Sequence, residues 1–139
     1  MAAGESSSEV VNWPALKAAA LAAQDRAYVP YSEYRVGAAL LTSTGEIVTG
    51  CNVENATYGA TCCAERTAVF SAVAAGHRAF RAIAVATHGA GAGTPCGICR
   101  QVLAEFSTDG ALEILCFTPE GAQARYTLAE LLPHAFALK

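Results

Sequence analysis

The stretch Thr61–Phe70, TCCAERTAVF, places two adjacent cysteines and a Glu-Arg pair at the start of an apolar segment. Alanine, valine and phenylalanine dominate the following residues up to Gly76, and this pattern predicts a helix over residues 62–75. A charged pair beside so apolar a segment is unfavourable unless it has a partner. A helix that is apolar on nearly every side is also expected to be buried on nearly every side.

The residues on both sides of this helix predict an α/β fold. Asn12 and Pro14 begin a first helix that extends to about Ala27. The remaining predicted helices and strands are helices over 97–106 and 128–132 and strands over 34–42, 47–53, 81–87, 112–117 and 123–126. The order α-β-β-α-β-α-β-β-α indicates a single mixed five-stranded sheet sandwiched between helices.

The composition favours one domain that associates with further copies of itself. The chain of 139 residues is expected to form a domain over residues 12–139, after a flexible tail over residues 1–11. Hydrophobic residues make up 53% and charged residues 15%, which is more apolar than a small monomer needs. An alanine-rich bias is the alternative explanation, because alanine raises this count without making an adhesive surface.

The charge pattern argues against a nucleic-acid or other polyanionic partner, since the net charge is -3 and the arginines form no run. No run approaches the ~20 consecutive apolar residues of a membrane span. The first residues, MAAGESSSEVV, lack the basic and apolar regions of a signal peptide. Six cysteines without an export signal favour a reducing compartment, and we expect the cytoplasm.

Three cysteines, Cys63, Cys96 and Cys99, stand at the starts of predicted helices. Unpaired N–H groups and the helix dipole stabilise thiolates there, so two such starts directed at one point would hold three thiolates around a zinc ion. The C-x-x-C of Cys96 and Cys99 alone also fits a redox pair or a four-ligand structural zinc site.

No other cysteine or histidine is a clear fourth ligand. Cys62 would have to turn backwards to bind the same ion as its neighbour, and Cys51 and Cys116 lie in apolar strands where cysteine acts as a small hydrophobic residue. The histidines stand alone in the sequence at His77, His88 and His134. Three protein ligands leave one position open for water, which is typical of a catalytic zinc site.

Glu65 and Arg66 follow the first of these cysteines closely. Glu65 lies two residues beyond Cys63, so it can lie over the metal without binding it and transfer protons. Taken alone, it is equally well explained as a favourable charge at a helix N-terminus. Zinc with three thiolates carries a net charge of -1, which Arg66 can offset by donating hydrogen bonds to the sulfurs. The alternative for Arg66 is an ordinary surface arginine.

The combination C-A-E and P-C-x-x-C resembles the zinc nucleoside deaminases. The segments YVPYSEYRVGAALL, TGCNVENATY, CCAERTAV, TPCGICRQVL and ELLPHAF are together similar to the small, homotetrameric class of cytidine deaminase, in the same order from Tyr28 to Phe136. The resemblance implies a three-layer fold with one zinc ion per chain and hydrolysis of cytidine and deoxycytidine to uridine and deoxyuridine with release of ammonia. It implies that zinc hydroxide attacks C4 of the ring while Glu65 transfers protons.

The resemblance also implies a set of substrate-binding residues. Asn52 and Glu54 would hold the ribose hydroxyls, chiefly the 3′-OH, although without the family a polar strand end entering a loop is the preferred explanation. Tyr58 and Phe136 match aromatic positions that reach the active site of a neighbouring subunit. Tyr34, where the family usually has Phe, and Ala64 complete the set. The family's tetramer would bury Ala68, Val69, Ala72 and Val73 between the sheet and a partner subunit.

Three other functions compete with this interpretation. A deaminase of a nucleoside antibiotic such as blasticidin S is the nearest, but its substrate lacks the vicinal hydroxyls that Asn52 and Glu54 would bind. Deaminases of nucleotides or polynucleotides usually carry H-A-E and need cationic phosphate contacts. A non-catalytic zinc-binding module or a C-x-x-C redox protein would leave Glu65 without a role. The Gly-rich loop Gly89–Gly93 follows no phosphate-binding pattern and is expected to be a flexible connection.

Overall fold

In residues 10–138, which the computed structural model describes, five strands form one sheet. They are β1 (Gly37–Thr42), β2 (Ile47–Cys51), β3 (Phe80–Ala86), β4 (Glu113–Phe117) and β5 (Gln123–Thr127). Their spatial order is β2-β1-β3-β4-β5, and only β3 and β4 are parallel neighbours within this part of the chain. The predicted mixed five-stranded sheet is therefore confirmed.

Helices cover both faces of the sheet. They are α1 (Trp13–Gln24), α2 (Ala64–Ala74), α3 (Gly97–Glu105) and α4 (Leu128–Leu131), with short 3₁₀ turns at Tyr58–Ala60 and Thr108–Gly110. Leu16 and Ala20 of α1 pack on one face, against alanines of β1 and β3 and apolar residues of β4. Buried residues of the other helices pack on the opposite face. The three-layer architecture follows from these two separate apolar clusters.

The chain connections explain why two helices begin at the same edge of the sheet. Strands β2 and β3 both run antiparallel to β1, so they are parallel to each other, and α2 and α3 follow their carboxyl ends. Helices that follow parallel strands begin at the carboxyl edge of the sheet, where α/β folds commonly bind ligands. The first turns of α2 and α3 therefore meet.

Close packing of α2 on the sheet requires a glycine in β2. A Cβ atom added at Gly50 would lie 2.6 Å from the carbonyl oxygen of Ala64, far inside van der Waals contact. Ala68, Val69 and Ala72 are completely buried on this side, whereas Phe70 is 52% exposed. The prediction that this helix packs on the sheet is confirmed, while the prediction of a partner subunit on its other side stays a prediction.

Most predicted boundaries differ from the structure by a few residues, and two of these differences have reasons that lie outside the local sequence. Helix α2 begins at Ala64 rather than at residue 62, because the main chain of Cys62 pairs with Val53 in two hydrogen bonds of 2.9 Å. Strand β1 begins at Gly37 rather than at residue 34, because the amide of Val36 donates to the side chain of Asn52 instead of a neighbouring strand.

The N-terminal part of the chain enters α1 as the sequence indicates. The Asn12 side chain caps α1 by accepting a hydrogen bond of 3.1 Å from the amide of Ala15. Of the predicted tail, residues 1–9 lie outside the described residues, and Val11 packs against the α1 face of the sheet. No helix within residues 10–138 is long and apolar enough to cross a membrane.

Candidate metal centre and active site

The three predicted cysteine ligands meet at one point. Cys63 is the N-cap of α2, Cys96 is the N-cap of α3, and Cys99 lies in the first turn of α3. Their sulfur atoms all lie within 4.8 Å of one another, and 3.8 Å separates Cys63 Sγ from Cys96 Sγ. This separation matches the roughly 3.8 Å between two sulfurs that bind one tetrahedral zinc at about 2.3 Å each. The donor chemistry and the spacing therefore fit zinc.

The group contains only these three ligands among the described residues. Cys62 is outside it, as predicted, and its main chain is held in the pairing with Val53. Cys116 is completely buried in β4, in agreement with its expected role as a core residue. A tetrahedral ion held by three thiolates keeps one position for a water molecule or substrate.

Arg66 contacts the ligand cluster as predicted. Its Nη2 donates to Cys63 Sγ at 3.3 Å, and its Nε is buried without a hydrogen-bond partner among the described residues. A hydrogen bond from the Cys99 thiol and further hydrogen bonds from Arg66 and Cys96 lower the pKa of Cys63 to about 5. The hydrogen bond to Cys63, together with burial, raises the pKa of Cys99. The cluster thus already stabilises a thiolate at Cys63.

Glu65 is the one charged residue that is buried within residues 10–138, with only 5% of its surface exposed. Burial is the main reason that its pKa rises to about 7, and the negative charge of Cys63 acts in the same direction. A carboxyl group with a pKa near neutral pH can both accept and donate protons under physiological conditions. Its position beside Cys63 gives it access to any molecule bound near the cluster.

A cavity of about 430 Å³ opens above the cluster and contains most of the predicted substrate-binding residues. Cys63, Cys96 and Glu65 lie in its wall. The predicted residues Tyr34, Asn52, Glu54 and Ala64 line it as well. Residues that the sequence reasoning did not single out complete the wall, namely Ser32, Val36, Val85, Thr87, Gly93 and Thr94. The volume is in the usual range for a pocket that holds a small organic ligand.

The side chains of Asn52 and Glu54 are held by hydrogen bonds within the protein and keep some capacity for a ligand. Asn52 Oδ1 accepts from the amide of Val36 at 2.9 Å and its Nδ2 donates to the carbonyl of Tyr34 at 2.8 Å, which leaves one Nδ2 hydrogen for a ligand. The carboxylate of Glu54 accepts from the amides of Tyr31 and Ser32 and from the Ser32 hydroxyl. The Ser32 hydroxyl is the main reason that the pKa of Glu54 is lowered.

Tyr58 and Phe136 do not line this cavity in the single chain. Tyr58 is 85% exposed and borders an adjacent cavity that also contains Glu54. Phe136 is 68% exposed and lies in the C-terminal segment, where its carbonyl accepts from Gln101 Nε2 at 3.1 Å. The structure therefore leaves both aromatic side chains available to another molecule.

A hydrogen bond joins the two ends of the Gly-rich loop. The amide of Gly93 donates to the Thr87 hydroxyl at 3.1 Å, so the end of the loop is tied to the end of β3. Thr87 and Thr94 both line the cavity. Thr94 begins the segment TPCGICRQVL, whereas Thr87 belongs to no motif. The signal that identifies Thr87 is its position directly after the carboxyl end of β3, beside the start of the loop.

A family model described as the cytidine and deoxycytidylate deaminase zinc-binding region matches residues 14–112. This match spans well over half of the chain and includes all three cysteine ligands and Glu65. The chain belongs to this family. The zinc-binding character of the family agrees with the donor set of the cysteine cluster, so zinc is the metal of this centre.

Individual relatives support the same assignment over nearly the whole chain. Cytidine deaminase from Sporosarcina psychrophila is 50% identical over 115 residues, which cover 83% of this chain and 84% of the relative. The crystal structure of cytidine deaminase from Burkholderia pseudomallei matches 91% of this chain and 100% of its own, with 48% identity and a TM-score of 0.85. A blasticidin-S deaminase from Bacillus cereus is more distant, at 31% identity over 73% of this chain and 76% of its own.

Proposed function

We propose that this protein is a cytidine deaminase that hydrolyses cytidine and deoxycytidine to uridine and deoxyuridine with release of ammonia. The observation that carries the proposal is the buried Glu65 carboxyl beside the three-cysteine cluster, in a cavity that also contains Asn52 and Glu54. Both the relatives and the cavity chemistry support a neutral nucleoside substrate.

Glu65 is the proton carrier in this proposal. Zinc, when bound, would supply an activated water molecule for attack on C4 of the cytosine ring. As the C4–O bond forms, the Glu65 carboxylate takes one proton from the attacking water and places it on ring atom N3, which a group with a pKa of about 7 can do. It then takes the proton of the hydroxyl group now on C4 and places it on the amino nitrogen. The C4–N bond breaks, ammonia leaves, and the oxygen stays on C4 as the carbonyl of the product.

Arg66 and the helix N-termini set the electrostatics of the centre. Three thiolates more than neutralise a zinc ion, which would weaken its ability to acidify water. The Arg66 guanidinium beside Cys63 and the positive ends of α2 and α3 reduce this negative charge. We assign Arg66 a supporting role at the sulfurs rather than a contact with the substrate.

The sugar lies between the Asn52–Glu54 pair and Tyr34 in this proposal. The free Nδ2 hydrogen of Asn52 and the remaining lone pair of Glu54 offer a donor and an acceptor to a ribose hydroxyl. Ala64, at the first position of α2, lies in the cavity wall, and the proposal places it beside the base. The Tyr34 ring supplies a flat surface on the other side.

We further propose a homotetramer in which Tyr58 and Phe136 complete the active site of a neighbouring subunit. Their exposed fractions of 85% and 68% are large for aromatic side chains, which supports a role at an interface. The exposed Phe70 on α2 supports the same assembly. The six cysteines are all free thiols, which supports a cytoplasmic location, and the proposed conversion of cytidine to uridine supports a role in pyrimidine salvage.

A substrate panel tests the proposed function. Deamination of cytidine lowers its near-ultraviolet absorbance, so each substrate can be followed directly. We expect turnover of cytidine and deoxycytidine, little turnover of their 5′-phosphates because the described cavity offers no basic side chain, and little turnover of blasticidin S. If blasticidin S is deaminated faster than cytidine, the protein is an antibiotic deaminase and the proposal is wrong. If zinc-loaded protein deaminates none of these substrates, the proposed activity is wrong.

A further inference from the structure

The loop between β3 and α3 forms one side of the cavity but has few contacts of its own. Thr87, Gly93 and Thr94 line the cavity. Within the described chain, residues 89–92 make no hydrogen bonds, and Ala92 contacts the core cluster. The position of the loop therefore depends on the contacts at its ends, residues 87–88 and 93–95.

The Tyr34 hydroxyl holds the beginning of this loop. It donates to the carbonyl of His88 at 3.2 Å and lies 3.4 Å from the His88 amide, which can donate to it. The two rings also meet edge to face, with centroids 6.0 Å apart and planes at 79°. Because Tyr34 lines the cavity, its hydroxyl connects one wall of the cavity to the opposite loop. A phenylalanine here would keep the ring contacts but lose both main-chain contacts.

Gln24 holds the same segment from the other side. It is 4% exposed, and its Nε2 lies 3.1 Å from the carbonyl of Arg35 and 3.3 Å from the carbonyls of both Ala86 and Thr87. The same nitrogen lies 3.2 Å from His88 Nε2. Carbonyls only accept hydrogen bonds, so the amide nitrogen must face them, and its two hydrogens are shared among these contacts.

Gln24 reaches this position because α1 packs unusually close to β1. A Cβ atom added at Gly37 would lie 2.8 Å from the Cα atom of Gln24. Because of this close approach, the buried side-chain amide of Gln24 in α1 reaches the carboxyl end of β3. The segment Ala86–His88 is thus held from two directions, by Gln24 inside the fold and by Tyr34 at the cavity.

We propose that Tyr34 and Gln24 are positioning residues for nucleoside binding, which act by fixing the main chain at residues 86–88 and with it the loop wall of the cavity. The role in binding rests on the proposed function, whereas the role in fixing the loop does not. Both residues act on substrate binding rather than on the proton transfers of Glu65, so their loss changes KM more than kcat.

The test compares Tyr34→Phe with Tyr28→Phe, since Tyr28 is 57% exposed and lies outside the cavity wall. Hydrogen exchange of the ligand-free, zinc-loaded protein is measured by mass spectrometry, and KM and kcat are measured with cytidine. For Tyr34→Phe we expect faster exchange across residues 87–93, and a KM about 5-fold higher, as loss of one net hydrogen bond predicts. Unchanged kcat is expected for Tyr34→Phe, and Tyr28→Phe is expected to match the wild type in all three measurements.

Gln24→Met provides a second, independent variant with a side chain of similar length and no amide. It is expected to increase exchange across the same residues, and its effect on KM is expected to be less than additive with that of Tyr34→Phe, because both act on one segment. Wild-type exchange across residues 87–93 in Tyr34→Phe would overturn the proposal. A wild-type protein that does not act on cytidine would refute the proposed function, and the exchange comparison would still decide whether the hydroxyl holds the loop.

Discussion

Replacement of Glu65 by glutamine should lower activity and raise stability at the same time. Gln has nearly the same volume, so the buried site keeps its packing, but the side chain can no longer accept and return a proton. Positioned proton transfer contributes about 10²–10⁴-fold to a rate, and Glu65 serves more than one transfer in the proposed reaction. We expect kcat to fall by at least this factor with zinc content unchanged.

The stability gain follows from the pKa of the buried carboxyl. Folding raises this pKa from 4.5 to about 7, so the folded protein keeps a proton that the unfolded chain loses between these pH values. The free energy of unfolding of metal-free protein therefore decreases as the pH rises through this window. The difference corresponds to roughly 3 kcal/mol at pH values above about 7 and vanishes below pH 4.5.

Urea denaturation of metal-free wild type and Glu65→Gln across this pH range measures the effect. The two curves of stability against pH should coincide at acid pH and diverge above it, with the glutamine variant more stable. Glu120→Gln, at an exposed residue of the β4–β5 turn, is the matched control and should change neither stability nor kcat. Turnover by Glu65→Gln within tenfold of the wild type, or a parallel loss of stability with pH in both proteins, would refute the reasoning.

Three further variants test the surroundings of the site. Arg66→Gln removes the donor to the ligand sulfur and should weaken zinc binding by about 10–100-fold in competition with a chelator; unchanged affinity would make the arginine a bystander. Gly50→Ala forces a methyl group against the main chain of α2 and should lower the free energy of unfolding, measured with urea, by about 1–3 kcal/mol. Gly91→Ala has open space around the new methyl group and should leave the free energy of unfolding unchanged. Equal stabilities of the two variants would contradict the packing argument. Ser32→Ala removes the main contact that lowers the pKa of Glu54, so this pKa should rise. If the ionised carboxylate is needed for binding, the acid limb of the profile of kcat/KM against pH should then move to higher pH. An acid limb that stays in place would show that this carboxylate does not control binding.

The sequence predicted the parts of the site that depend on local pattern and chain order. The N-terminal positions of Cys63 and Cys96 follow from helix starts, and the parallel arrangement of β2 and β3 makes those starts meet. Glu65 was identifiable because it lies two residues beyond Cys63 in a sequence that also contains the other two cysteine ligands, whereas alone it is equally well explained by the helix N-terminus. These features depend on residues close in sequence or on the order of the elements.

The walls of the cavity were less predictable because they depend on distant contacts. The Tyr34 hydroxyl meets His88 across 54 positions, and Gln24 meets Thr87 across 63 positions. The end of β2 at Cys51, before the predicted residue 53, and the late start of α2 likewise depend on the pairing of Val53 with Cys62. No periodicity or local motif encodes such contacts, and they arise only when the layers pack.

Removal and restoration of zinc tests the central claim most directly. Protein freed of metal by a chelator under reducing conditions is titrated with zinc, and cytidine turnover is measured at each addition. We predict that the metal-free protein is inactive and that activity rises linearly and reaches its maximum at one zinc per chain, in keeping with the single three-cysteine group of the described residues. Full cytidine turnover by the metal-free protein, or none after zinc is restored, would contradict the account.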